Sequence, residues 1–186
     1  MAPPVALLDA NVLYPARLRD LLIRLAIAGL YQARWSEQIL DECFGNLIEN
    51  RPDLTEDQLA RTRRLMTTAL PDAAVAGYED RIEEYDLPDP DDRHVLAAAV
   101  TTGASLLVTD NLDDFPAGRI PEGLQVVSPD EFVLALANDD LDVVVEVIEA
   151  QAAALAIPPM TTSELLDGLA AVGLVESVAQ LRSAIS

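Results

Sequence analysis

The chain contains no lysine: its twelve basic residues are all arginine, set against 32 acids, for a formal charge of −20 over 186 residues. The missing lysine excludes phosphate-loop nucleotide hydrolases, whose motif needs a Lys at the phosphates. It also argues against phosphoaspartate phosphatases and receiver domains, which a strand-end Asp-x-Asn would otherwise suggest. Cysteine is nearly absent. Cys43 stands alone, forms no intramolecular disulfide and reads as a small buried hydrophobe. Aromatic residues make up only 4% of a composition that is otherwise globular, with 51% hydrophobic residues. No apolar run is long enough to span a bilayer. The most apolar stretch, residues 141–157, is broken by Asp142, Glu146, Glu149 and Gln151. The start "MAPPVALLD" has no basic segment ahead of its apolar residues and does not read as a signal peptide. These absences together set the expectation of a cytoplasmic protein with no membrane association.

The charge is uneven. Residues 1–70 hold 8 Arg and 9 acids, and residues 71–186 hold 4 Arg and 23 acids. A nucleic-acid partner is therefore expected to approach the first half, where Arg17, Arg19, Arg24 and Arg34 form one group and Arg61, Arg63 and Arg64 another. Solvated helix faces explain the same arginines equally well. The overall acidity opposes tight nonspecific binding to nucleic acid, because phosphate contacts need local positive charge.

Along the chain, Val5–Leu8 reads as a buried strand running into Asp9. Helical periodicity follows over 16–30, then from a Ser36 cap to about 49, and from a Thr55/Gln58 capping box to about 69. Residues 71–78 suggest a short strand with turns, and 80–85 a helical turn. Asp89 and Pro90 look like the cap and first residue of an Ala-rich helix over 90–102, ended by Gly103. Strands are expected at 105–108 and 124–127. A Ser128/Glu131 capping box opens a further helix. The alternation predicts a three-layer α/β/α sandwich around a mainly parallel sheet. From Asn138 the pattern is purely helical, with a break at Pro158-Pro159 and two short helices around Gly173. Residues 1–137 are accordingly expected to form one domain and 138–186 a helical extension, either a packing appendage or a partner-binding element.

Four acidic stations stand out: Asp9; Glu42; Asp91 with Asp92; and Asp110, Asp113 and Asp114. Each alone has an ordinary explanation as a cap, a turn former or a surface residue. Taken together they follow two strand ends and occupy a helix and a helix start. Active sites of parallel sheets lie beyond such strand ends. Carboxylates brought to one point stay ionised only with a positive charge between them, and a hard divalent cation such as Mg²⁺ supplies it.

In order and spacing, "LLDANVL", "ILDE", "DPDDRHVLAAAV" and "LLVTDNLDDF" resemble the PIN domain, and more closely the VapC-like toxin ribonucleases, over roughly residues 4–137. The resemblance implies a PIN-like fold and Mg²⁺- or Mn²⁺-dependent endonucleolytic cleavage of RNA, leaving 5′-phosphate and 3′-hydroxyl ends. It further implies a cognate antitoxin protein that closes the site; a homodimer is a separate expectation, through the helical segment from Asn138 onward. Asp9, Glu42 and Asp92 match the family's acids and would be catalytic and hold the metal, with Asn11 and Thr109 bracing them. At the last station Asn111 stands where the family often has Asp, so Asp110, Asn111, Asp113 and Asp114 all stay candidates; Asp110 is taken as the metal ligand and Asp110 with Asp114 as catalytic. Arg17, Arg19 and Arg93 are the candidate RNA contacts. His94, two residues past Asp92, points about 200° away on an ideal helix and is read as structural or RNA-facing. Tyr14 and Trp35 are either stacking platforms or core residues. The rival reading is a non-catalytic PIN-like module that only docks RNA or a partner. An acid-phosphatase-like hydrolase is disfavoured by the missing lysine.

Overall fold

A computed structural model describes residues 2–185. Five parallel strands form the central sheet: β1 (Val5–Leu8), β2 (Gln32–Ser36), β3 (Ala74–Val75), β4 (Leu106–Val108) and β5 (Gln125–Val127). Their order is β3-β2-β1-β4-β5. The chain builds outward from β1 in one direction, then returns to its other side. The strand order therefore reverses between β1 and β4, which opens a crevice beyond their carboxyl ends. The register pairs Leu8 with Val108, so Asp9 and Thr109 leave the sheet side by side. Ala6, Leu7 and Leu8 are fully buried, as expected of a strand covered on both faces.

Helices cover both faces. The first half supplies α1 (Ala10–Leu13), α2 (Ala16–Ile27), α3 (Glu37–Asn50) and α4 (Glu56–Ala69). Ser36 caps α3 through Ile39 N, and Thr55 with Gln58 closes the expected box on α4. The Ala-rich helix α5 is Arg93–Thr101, preceded by a 3₁₀ turn over Pro90–Asp92 that Asp89 caps through Asp91 N. Ala97, Ala98 and Ala99 are fully buried, and these small side chains let α5 sit closely on β1, β2 and β4. Gly103, at φ +66°, turns the chain out of α5 in the left-handed region where a Cβ is unfavourable.

The segment over 71–78 contributes only the two residues of β3. One strand, β2, was not expected. Its Gln32 and Arg34 interrupt the apolar pattern, yet they pair with each other at 3.2 Å while Ala33 and Trp35 are buried. Trp35 is fully buried, which settles it as a core residue rather than a stacking platform.

After β5 come α6 (Pro129–Asp139), α7 (Leu141–Ala154), α8 (Thr162–Ala171) and α9 (Val175–Ile185). Helix α7 packs on α2 and α6, and α9 on α6 and α8. Asp130, in the first turn of α6, accepts hydrogen bonds from Glu176 N (2.9 Å), Ser177 N (2.9 Å) and Ser177 Oγ (2.6 Å), fastening the start of α9. Among the described residues no helix is long and apolar enough to cross a membrane.

Candidate active site

Asp9 sits at the reversal of strand order and is only 5% exposed. Its backbone N–H donates to Val108 O at 3.1 Å, tying it to β4. Its Oδ1 accepts from Ala10 N (2.7 Å) and so caps α1. Its Oδ2 accepts from Thr109 Oγ (2.8 Å) and from Asn11 Nδ2 (3.1 Å). Thr109, itself fully buried, also accepts from Asn11 Nδ2 (3.0 Å) and Asn111 N (3.1 Å), so its donor and both acceptor positions are occupied. Asn11 Oδ1 accepts from Asp110 N at 3.1 Å. Two strand ends are thus cross-laced through Asn11 and Thr109, and Asp9 is held in one orientation. Burial pushes the Asp9 carboxyl above the ordinary value; the bonds from Thr109 and Ala10 oppose this, and the nearby Glu42 charge adds to it.

Glu42 comes from α3. Its Oε1 lies 2.8 Å from Nε2 of His94, a residue of α5 that is 2% exposed. An ionised carboxylate only accepts, so Nε2 carries the shared proton. Nδ1 of His94 has no partner among the described residues. His94 is therefore a buried brace for Glu42, which favours the structural reading over the RNA-facing one.

Asp92 occupies the cap position of α5, yet its side chain makes no capping hydrogen bond. The local cap is Asp89, so the Asp92 carboxylate is left for the site. Its pKa is raised from 3.8 to about 6, by burial first and then by the charges of Asp9, Asp114 and Asp89, with His94 opposing. Asp114 thus stands close enough to Asp92 to act on it. Asp110 is also raised, but by burial alone.

Asp9, Asn11, Tyr14, Glu42, Asp92 and Asn111 line one cleft of about 510 Å³, together with Asn46 and Asn50 of α3. A second cleft of about 470 Å³ shares Glu42, Asn46 and Asp92 with it and adds Gln38, Asp91 and His94. Asp110 and Asp114 are not among the lining residues of either. A larger cavity of about 580 Å³ lies beside β5, between Leu112 and Glu131, and none of these acids lines it.

Among the described residues no three His, Cys, Asp or Glu side chains close on one point as a ready ligand cage. The donors around the cleft are nevertheless carboxylate and amide oxygens. This chemistry fits a small hard cation that keeps much of its water shell and binds directly through one or two carboxylates. Burial raises the Asp92 carboxyl first, and the charges of Asp9, Asp114 and Asp89 add a repulsion that such a cation would offset.

The arginine expectations fare differently. Arg19 is 9% exposed, and its Nη1 donates to Leu13 O (2.8 Å) and Tyr14 O (3.2 Å), with its guanidinium 5.9 Å from the Phe44 ring. It satisfies carbonyls at the end of α1 and is not an exposed RNA contact, which corrects that expectation. Arg17 is exposed and lies against Gly168 of α8. Arg93 is bound to Pro90 O and Glu83. Sequence reasoning passed over Gln38, Asn46 and Asn50. Their signal was present, because they recur every four residues with Glu42 along α3.

A family model described as PIN domain matches residues 5–113, and one described as VapC50 C-terminal domain matches residues 129–183. A Mycobacterium tuberculosis protein named "Putative ribonuclease VapC50" is 42% identical over 83 residues, covering 42% of this chain and 47% of that protein. The chain thus spans less than half the length of this relative.

Proposed function

Since the chain belongs to the PIN-domain family, we propose that it is a metal-dependent endoribonuclease whose centre is built on Asp9, Asp92, Glu42 and Asp114. The observation that carries this reading is the convergence of Asp9, Glu42 and Asp92 on one cleft at the strand-order reversal, with the Asp92 carboxyl pushed up to about 6 by burial and by its acidic neighbours. A structural cap would form a capping bond, and Asp92 forms none.

The residues divide the work. Asp9 and Asp92 would hold Mg²⁺ or Mn²⁺, with Glu42 and Asp114 as the further acids of the site. Asp114 takes precedence over Asp110 because its charge reaches Asp92. When bound, the cation acidifies a water and offsets charge on the phosphoryl oxygens. Thr109 and Asn11 fix the Asp9 carboxylate against rotation, and His94 fixes Glu42. Such bracing preorganises the donors before substrate arrives. Asn111 lines the cleft as a neutral group and hydrogen-bonds substrate or water. A small neutralising protein belongs to the same reading: inserting an Arg among these acids would block the cation. Titrating activity with a co-encoded partner tests that element, and undiminished activity at excess partner removes it.

Purified protein is incubated with a mixed RNA pool, with Mg²⁺ or Mn²⁺, with chelator, and as Asp9→Asn and Asp92→Asn. Cleavage that needs the cation and both carboxylates is expected. Cleavage that survives chelation, or is unchanged in both variants, refutes the mechanism. The second reading, a binding module, is favoured by Asn111 in the cleft and by the absence of a closed ligand cage among the described residues. RNA retention without cleavage under every condition would establish it.

A further inference from the structure

Helix α3 carries Gln38, Glu42, Asn46 and Asn50 at intervals of four residues, one side chain about every 6 Å along the axis. All four line one or both of two clefts that have Glu42, Asn46 and Asp92 in common. The α3 side of these two clefts is therefore a row of carboxamides about 18 Å long, interrupted only by the site's own Glu42. Asn46 and Asn50 are exposed, and the partly exposed Tyr14 lines the same cleft. Among the described residues no arginine lines either cleft. Arg51, next beyond Asn50, is engaged in a two-bond pair with Asp53.

From this we infer that the α3 carboxamide row is the surface that reads the substrate: Gln38, Asn46 and Asn50 hydrogen-bond the base edges of single-stranded RNA flanking the phosphate at the acidic centre, and Tyr14 stacks on one base. This inference rests on the ribonuclease reading for its substrate class. A carboxamide offers donors and an acceptor, and Asn50 keeps Oδ1 and one N–H after its Nδ2 donates to Asn46 O at 2.9 Å; such groups suit base edges, whereas phosphates are gripped by cations. The acids around the cleft repel the backbone elsewhere along it, so flanking nucleotides turn their bases inward. Stacking on Tyr14 adds affinity without sequence preference. Recognition by neutral groups also explains how a protein of charge −20 can engage a polyanion at this surface.

Two readouts test the inference. The first is binding of a fluorescent single-stranded RNA pool in chelator by the Asp9→Asn protein, alone and combined with Asn46→Ala, Asn50→Ala or Gln38→Ala. Each lost amide should weaken binding about five- to tenfold, the worth of one or two neutral hydrogen bonds. The salt slope of log affinity should be shallow, about −1 or less, because single strands give about −0.7 per phosphate contact. The second is sequencing of cleavage ends from a randomised pool. Asn46→Ala and Asn50→Ala should broaden the base preference beside the cut, with the loss falling on KM more than on kcat. Thermal unfolding confirms that each variant is folded. Binding that ignores all three amides overturns the inference, as does a steep salt slope abolished by Arg61→Ala with Arg64→Ala on α4. If the wild type fails to cleave but binds RNA through the amides, the nuclease reading falls and this one stands. If it binds no RNA, this one falls too.

Discussion

Replacing Asp92 with asparagine should make the metal-free protein more stable. The Asp92 carboxyl titrates at about 6 in the folded chain against an ordinary 3.8, through burial first and the charges of Asp9, Asp114 and Asp89 next. An acid whose pKa is raised by folding binds its proton more tightly in the native state. That favourable contribution is complete below the ordinary value and is lost as pH rises through the folded one. The difference of about two units corresponds to roughly 3 kcal/mol before screening. The side chain is partly exposed, so solvent reduces this to about 1 kcal/mol. Asparagine keeps the shape and removes the charge. In chelator near neutral pH, Asp92→Asn should therefore melt roughly 2–4 °C above wild type. The gap should close as pH falls toward about 4, where the wild-type carboxyl is protonated as well. Saturating Mg²⁺ or Mn²⁺ should reverse the order, because the wild type alone retains the full ligand set. Thermal unfolding followed by circular dichroism reads all three conditions. A variant no more stable than wild type near neutral pH, or a gap of equal size at both pH values, refutes the crowding argument and returns Asp92 to an ordinary helix start.

Thr109→Val keeps the shape and removes the hydroxyl that donates to Asp9 and accepts from Asn11 Nδ2 and Asn111 N. It should lower stability in urea by about 1–3 kcal/mol, while Thr109→Ser should retain most of it; equal losses in the two variants would show that packing, not the hydroxyl, matters there. Asp130→Ala removes the acceptor for Glu176 N and for Ser177 N and Oγ. It should weaken the fold by about 1–2 kcal/mol and hasten proteolytic release of α9, and an unchanged digestion pattern would count against the anchor. Burial pushes the Asp130 carboxyl up, but the bonds from Ser177 and Glu176 outweigh it and hold the group below the ordinary value. Its stabilisation is therefore present above that value and lost as pH falls through the folded pKa, the opposite sense to Asp92.

What the sequence made legible is what local chemistry encodes. Val5–Leu8 and Leu106–Val108 are unbroken apolar runs, and each leads straight into a polar strand end, so β1, β4 and the position of Asp9 could be read directly. The Ser36 cap and the capping boxes at Thr55 and Ser128 were equally visible because each lies within four residues. The strand β2 was hidden by Gln32 and Arg34, whose mutual hydrogen bond is apparent only once the strand exists. Arg19 looked like a surface cation because nothing in its neighbourhood shows that the carbonyls of Leu13 and Tyr14 need a donor. The His94–Glu42 contact joins two helices over fifty residues apart in the chain. The ideal-helix angle separated His94 from Asp92, yet the two line one cleft, because Asp92 lies in the 3₁₀ turn that precedes α5. Asp92 was legible as an acid at a helix start, whereas its freedom from capping depends on Asp89 taking that task.

Thr109 N donates to Val127 O at 3.0 Å, and Val127 stands three residues before Asp130, the anchor of α9. The carboxyl-terminal helix is thus mechanically in series with the threonine that steadies Asp9. Fusing a bulky partner to that end, or trimming it, pulls on the last strand of the sheet and through it on the acidic centre. Any label meant to leave the chemistry undisturbed belongs elsewhere, such as on the exposed outer face of α4.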